Sequence, residues 1–201
     1  MNIIVKGLKG TGKFIVRGSI YLFMRVVYRA EIKGLENIPK NEPLIFCGNH
    51  RTYVDPPLIL STAKRDMRFI AKEELRKNKG FAFLGILFDA IYVKRDAKDI
   101  GSIKEVLKAL KNKQCIALFP EGTRNAAEKG EKPKDGAIFF AVKSGAKILP
   151  CGIKGGTQKW KKTTITYGKP IDFSYVNSKN KEEIELATEK MMNEIMRLTN
   201  S

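Results

Sequence analysis

One histidine, one tryptophan and three cysteines are all that this 201-residue chain holds of those three residue types, and each scarcity removes a class of function. A zinc site needs Cys and His ligands clustered at short spacing. Cys47, Cys115 and Cys151 are scattered, form no CxxC pair, and lie in apolar runs such as Cys115-Ile116-Ala117-Leu118-Phe119. Buried, reduced thiols are therefore expected, with no metal and no bound cofactor. Long hydrophobic runs are missing too. The longest uncharged stretch of the apolar N-terminal segment, Gly18 to Met24, falls well short of the roughly 20 residues that span a bilayer. The same segment has no signal-peptide pattern, because its basic residues continue through the apolar part and no small-residue cleavage site follows. No internal repeat or low-complexity linker divides the chain, and its length suits one domain with a real core.

What the chain has in excess is positive charge, a formal +17 from 38 Lys and Arg against 21 Asp and Glu. An anionic partner is implied, and nucleic acid, anionic lipid and acidic carrier protein all fit the total. The distribution separates them. Lys6, Lys9, Lys13, Arg17, Arg25 and Arg29 precede the first acid, Glu31, and are interleaved with Phe14-Ile15-Val16 and Ile20-Tyr21-Leu22-Phe23-Met24. Residues 1–28 read as a basic amphipathic helical anchor lying in a membrane interface, with apolar side chains at the acyl boundary and Lys and Arg among head groups. A basic helix packed on the domain is the alternative. Gly7 to Lys13 has the spacing of a nucleotide-binding P-loop, but Phe14 stands where a Ser or Thr hydroxyl is required. The glycines there are expected to loosen or break the helix.

Residues 29–201 alternate β-rich apolar runs with helical periodicity, the pattern of an α/β sheet with crossover helices. Candidate strands are 29–33, 43–48, 67–71, 90–94, 114–119, 147–153 and 163–167. Helical spacing joins Ile100, Ile103, Leu107 and Leu110, then Ile138, Phe139 and Val142, then Ile184, Thr188, Met191, Ile195 and Leu198. The expected fold is a single α/β domain with a mixed, mostly parallel sheet of about seven strands flanked by helices. Asn125 to Asp135 reads as an exposed loop.

Two strings begin where strand patterns end, the place where open α/β sheets hold ligands. The first is Asn49-His50-Arg51-Thr52-Tyr53-Val54-Asp55. Imidazole titrates near neutral pH and so serves as a general base, and with one histidine the choice is forced. Five residues on a helix are rotated about 140° apart, so a loop must hold His50 if it is to meet Asp55. Asp55 before Pro56-Pro57 also suits a plain helix N-cap. The second string is Phe119-Pro120-Glu121-Gly122-Thr123-Arg124. Arg124 suits bidentate recognition of phosphate, Gly122 permits close backbone approach, and Thr123 can donate a hydroxyl. Glu121 would repel a phosphate, and is expected to orient Arg124 or bind an acceptor hydroxyl.

In these strings, from about residue 30 to 170, the chain resembles the 1-acylglycerol-3-phosphate O-acyltransferases, or lysophosphatidic acid acyltransferases, of the wider glycerolipid acyltransferase family. Asn49, His50 and Asp55 match that family's NHxxxxD motif, and Phe119 to Arg124 match its FPEGTR motif without departure. Weaker counterparts are Ala90-Ile91-Tyr92-Val93-Lys94-Arg95, Ile148-Leu149-Pro150-Cys151-Gly152 and Lys134-Asp135-Gly136-Ala137. The resemblance implies that His50 and Asp55 are catalytic, and that Asn49, Arg95, Glu121, Gly122, Thr123, Arg124 and Lys134 bind substrate. It implies an acyl donor of the acyl-CoA or acyl-acyl carrier protein type and a lysophospholipid acceptor whose acylation yields phosphatidic acid. It also implies a peripheral place on the cytoplasmic face of the cell membrane. The apolar stretch Phe81 to Phe88 is a candidate wall for the acyl chain, or simply a core helix. Two further classes compete, a non-catalytic lipid-binding module and a nucleic-acid binder. The second is suggested by the Lys-rich stretch Lys154 to Lys162 around Trp160, although no recognisable nucleic-acid module accompanies it.

Overall fold

Seven strands form one sheet in the order β1-β7-β6-β2-β5-β3-β4. They are β1 (Glu31–Lys33), β2 (Leu44–Gly48), β3 (Met67–Lys72), β4 (Ile91–Val93), β5 (Cys115–Leu118), β6 (Lys147–Lys154) and β7 (Thr164–Tyr167). The structure is a computed structural model that describes residues 3–94, 99–126 and 129–201, with side chains from residue 10 onward. All neighbouring strands run parallel except β6 and β7. The sheet is thus mixed and mostly parallel, and each expected strand is present within a residue or two of its expected ends. Six helices among the described residues complete the fold: α1 (Ile3–Val27), α2 (Asp55–Thr62), α3 (Lys79–Leu87), α4 (Ile100–Lys111), α5 (Gly136–Ser144) and α6 (Lys181–Asn200).

The central strand β2 shows why this sequence makes a sandwiched sheet. Every residue of Leu44-Ile45-Phe46-Cys47-Gly48 is buried, as a parallel strand covered on both faces requires. Its side chains alternate: Ile45 and Cys47 join a cluster with α4, α5 and α6, while Leu44 and Phe46 join a second with α1 and α2. The three thiols are free and buried, and burial pushes those of Cys47 and Cys151 well above the ordinary range. On α6, Thr188, Met191, Ile195 and Leu198 are buried as the spacing predicts. Gly152 of β6 admits this helix, since a Cβ there would collide with the Leu198 backbone.

The N-terminal segment departs from expectation in two ways. Its glycines do not break it, because α1 runs unbroken from Ile3 to Val27, so Gly7 to Lys13 is helical and forms no phosphate-cradling loop. Each glycine costs a helix about 1 kcal/mol relative to alanine. Docking offsets this: Met24 is buried, Val16 and Ile20 pack on the same cluster, and Gly12 lies against Leu87 of α3. The second departure concerns charge. Lys13 and Arg17 do not project to solvent; Lys13 bonds Asp66 and Asp89 at 3.3 and 3.4 Å, and Arg17 bonds Asp66 at 3.1 Å. At about 100° per residue, Val16, Ile20 and Met24 occupy one side of the helix, and Ile15, Leu22 and Val26 the opposite side. That opposite side is bare, with Ile15, Leu22 and Val26 at 58%, 63% and 54% exposure. The segment is therefore both packed on the domain and apolar outward. No helix among the described residues is long and apolar enough to cross a membrane.

Candidate active site

The site stands at the carboxyl ends of β2 and β5, which pair directly with Cys47 opposite Leu118. One strand delivers Asn49-His50 and its neighbour delivers Phe119 to Arg124. Sequence spacing alone set these strings some seventy residues apart, and the parallel pairing makes them adjacent.

Asp55 organises the first loop. It is fully buried, and its Oδ2 accepts the backbone N–H groups of Arg51 and Thr52, both at 2.7 Å, and faces His50 Nδ1 at 3.0 Å. Its Oδ1 accepts the Thr52 hydroxyl at 2.9 Å. A buried carboxylate is tolerable only when supplied with donors in this way. Asp55 is not the helix cap that its position before two prolines suggests. It is the first residue of α2, with Val54 as the cap and no side-chain capping bond. As a cap it would face Pro57, which has no N–H, and Leu58, whose N–H already donates to Val54 O at 2.9 Å. The carboxylate is left to serve the loop.

His50 is held on every side but one. Its ring stacks on Phe119 at 4.2 Å between centroids. Its backbone N–H donates to Glu121 Oε1 at 3.2 Å, and its carbonyl accepts from Asn125 N at 2.8 Å. With Nδ1 committed to Asp55, Nε2 is the ring nitrogen available to a ligand, and His50 lines a cavity of about 520 Å³.

The second loop supplies cations to that cavity. Gly122 takes a left-handed conformation (φ +68°), and a Cβ there would press on Lys134 at 3.0 Å. The left-handed backbone is what calls for glycine, and Lys134 lies close over the turn, where its backbone N–H donates to Pro120 O. Thr123 and Arg124 also line the cavity, although the Thr123 hydroxyl donates to Glu131. Arg124 lies over Tyr53, its guanidinium carbon 3.7 Å from the ring centroid, with Nη2 donating to the Tyr53 hydroxyl at 2.9 Å. Tyr53 in turn rests on Phe81 of α3 at 5.7 Å. No carboxylate pairs with Arg124 or Lys134 among the described residues. Lys72 and Lys94 also line the cavity, and the rest of its wall is largely apolar, including Pro57, Leu60 and Phe69 together with Phe81, Leu84 and Phe88 from the stretch Phe81 to Phe88.

Three expectations need correction. Asn49 does not line the cavity: its amide bonds both backbone groups of Ile153, at 2.9 and 2.7 Å, and extends the β2–β6 pairing past Gly48. Glu121 neither orients Arg124 nor faces the cavity. It is buried beneath the turn, where burial pushes its carboxyl above the usual range, opposed in part by the N–H groups of His50 and Ala126. In the loop after Arg124, Asn125 is half-buried and Ala126 fully buried, while residues 129–132 are exposed. Arg95 lies outside the described residues. Sequence reasoning missed Tyr53, Thr52 and Asn125, which act through contacts that leave no periodic signal.

A profile described as Acyltransferase matches residues 29–154, a span that contains both loops and strands β1 to β6. The chain belongs to the Acyltransferase family. Among relatives, a 1-acyl-sn-glycerol-3-phosphate acyltransferase of Borreliella burgdorferi is 33% identical over 121 residues, 59% of this chain and 48% of that protein. One of the same name from Bacillus subtilis is 28% identical over 179 residues, 85% of this chain and 88% of that protein. The chain thus spans about half the length of the Borreliella relative and most of the Bacillus one. The crystal structure of the 1-acyl-sn-glycerophosphate (LPA) acyltransferase PlsC from Thermotoga maritima superposes with a TM-score of 0.71 at 26% identity, covering 98% of this chain and 90% of that one.

Proposed function

We propose that this chain transfers a fatty acyl group from acyl-CoA or acyl-acyl carrier protein to the free sn-2 hydroxyl of 1-acylglycerol-3-phosphate, giving phosphatidic acid at the cytoplasmic face of the cell membrane. The observation that carries this reading is a single imidazole, fixed on Asp55 through Nδ1, on the wall of a largely apolar cavity whose lining includes Arg124 and Lys134, which pair with no carboxylate among the described residues. The names of the relatives support the choice of acceptor.

Asp55 holds the imidazole in the tautomer with hydrogen on Nδ1, which leaves the Nε2 lone pair for the acceptor hydroxyl. As that oxygen attacks the thioester carbon, its proton passes to Nε2, and Asp55 stabilises the imidazolium. When the tetrahedral intermediate collapses, the C–S bond breaks and Nε2 returns the proton to the departing sulfur. His50 ends neutral, so no covalent enzyme intermediate is needed. Arg124 and Lys134, with Arg95, bind the acceptor phosphate and place its hydroxyl beside Nε2, a positioning contribution of several kcal/mol. The Tyr53 shelf keeps the Arg124 guanidinium planar to the site. The acyl chain lies along Leu60, Phe69, Leu84 and Phe88.

The outward row Ile15, Leu22 and Val26 meets the membrane interface. Because Met24 of the same helix is a core residue, Leu22→Glu with Val26→Glu is a sounder probe than truncation. It is expected to abolish sedimentation with anionic vesicles while activity on micellar substrate persists. Acceptor and donor are tested by a panel of lysolipids with both thioester types, read by mass spectrometry. Phosphatidic acid formed from lysophosphatidate is expected. Turnover of neutral lysolipids in preference to it would contradict the reading.

A further inference from the structure

The chain has one tryptophan, and the fold keeps it out of the core. Trp160 lies in the connection between β6 and β7 with 64% of its surface exposed. Its backbone is left-handed, at φ +65°, an uncommon conformation for a bulky side chain. A backbone bond holds it there: Trp160 N–H donates to the carbonyl of Val27, the last residue of α1, at 2.6 Å. Three residues on, Thr163 N–H donates to Tyr28 O at 3.0 Å, and Thr163 O accepts from Glu31 N–H. The loop is therefore tied to the end of α1 at which Leu22 and Val26 are bare.

On either side of the indole, Lys159 and Lys161 are exposed, and no carboxylate pairs with them among the described residues, whereas Lys162 bonds Glu31 at 2.8 Å. An amphipathic ring flanked by unpaired ammonium groups matches the chemistry of a membrane–water boundary, where indole sits at head-group level and lysine gains from anionic lipid. We propose that the β6–β7 loop, through Trp160 with Lys159 and Lys161, is a second contact with anionic phospholipid, separate from α1. The proposal rests on the reading that this enzyme works at a membrane surface. Charge complementarity and the tie to the bare end of α1 favour a lipid surface over nucleic acid, the other anion such a loop could meet. A lone interfacial helix leaves the domain free to roll about the helix axis. A second anchorage at one end restricts that motion and so sets how the catalytic cavity stands relative to the bilayer.

Because Trp160 is the sole tryptophan, its fluorescence reports on this loop in the unmodified full-length protein. Titration with vesicles containing phosphatidylglycerol is expected to shift its emission to the blue. Vesicles brominated on their acyl chains are expected to quench it. Replacing Lys159 and Lys161 by Gln retains the fluorophore, and is expected to weaken vesicle binding roughly tenfold and flatten its salt dependence. If the protein sediments with vesicles while Trp160 is neither shifted nor quenched, the loop proposal fails and the α1 reading survives. If the protein does not sediment at all, both fail. A response of Trp160 to single-stranded RNA with none to vesicles would overturn the proposal in favour of a nucleic-acid surface.

Discussion

The two loops that make the candidate site are built on opposite plans. Around His50 and Asp55 the polar groups are matched: the carboxylate receives two backbone amides, a hydroxyl and the imidazole, and Glu121 receives the backbone of His50. Around Arg124 and Lys134 no acid among the described residues neutralises the cations, and Arg124 lies on an aromatic ring. A satisfied network is rigid and holds a proton acceptor in one geometry. An unsatisfied cation is held ready for an anion that is not part of the protein. The first loop should therefore govern the rate of chemistry and the second the capture of substrate, and this division can be probed one residue at a time.

The largest effect after loss of His50 itself is expected from Asp55→Asn. The amide removes the charge that stabilises the imidazolium, and an NH2 turned toward Nδ1 would also face the Arg51 and Thr52 N–H groups, so kcat is expected to fall by roughly three to four orders of magnitude. A loss confined to KM would break the comparison. Arg124→Ala should act in the complementary way, raising KM for lysophosphatidate roughly tenfold to a hundredfold with kcat much less changed. Equal effects on kcat and kcat/KM would instead make Arg124 a group engaged only in the transition state.

The smallest effect sharpens the picture beneath the loops. Burial raises the Glu121 carboxyl above its unfolded value, so its contribution to stability is fully present below the ordinary carboxylate range. That contribution is lost as pH rises through the folded value. Glu121→Gln abolishes the titration. The melting temperature of the variant relative to the parent should therefore improve as pH is raised from acid to neutral, whatever constant offset the altered contacts bring. A pH-independent difference would show that Glu121 is not desolvated as described.

The fold was largely legible because its strands announce themselves. Runs such as Leu44 to Gly48 are apolar without interruption, and their shortness favours a strand covered on both faces over a buried helix. The pairing of His50 with Asp55 was legible as a loop argument, and the cation Arg124 beside Gly122 as a composition argument. What escaped were contacts between residues far apart in sequence. Asn49 looked like a ligand-binding amide, yet it continues a strand ladder with Ile153, about a hundred residues away. Glu121 was expected to face its near neighbour Arg124, yet parallel pairing of β2 with β5 brings it beneath His50. Charge and periodicity describe a residue's own segment and are silent about which loop another strand will deliver. The same limit applied to α1: its glycines and basic residues marked it as a loosened anchor, and only the positions of Asp66, Asp89 and Leu87 show that it is also docked.

The claim on which all of this depends is that the Nε2 of one imidazole removes the proton of the acceptor hydroxyl. The direct measurement is the steady-state rate of acyl transfer to lysophosphatidate by purified His50→Ala, in a preparation whose vesicle binding and melting temperature match the parent. The account predicts loss of kcat by roughly four to six orders of magnitude with vesicle binding intact. Turnover near the parental rate in that preparation would contradict it.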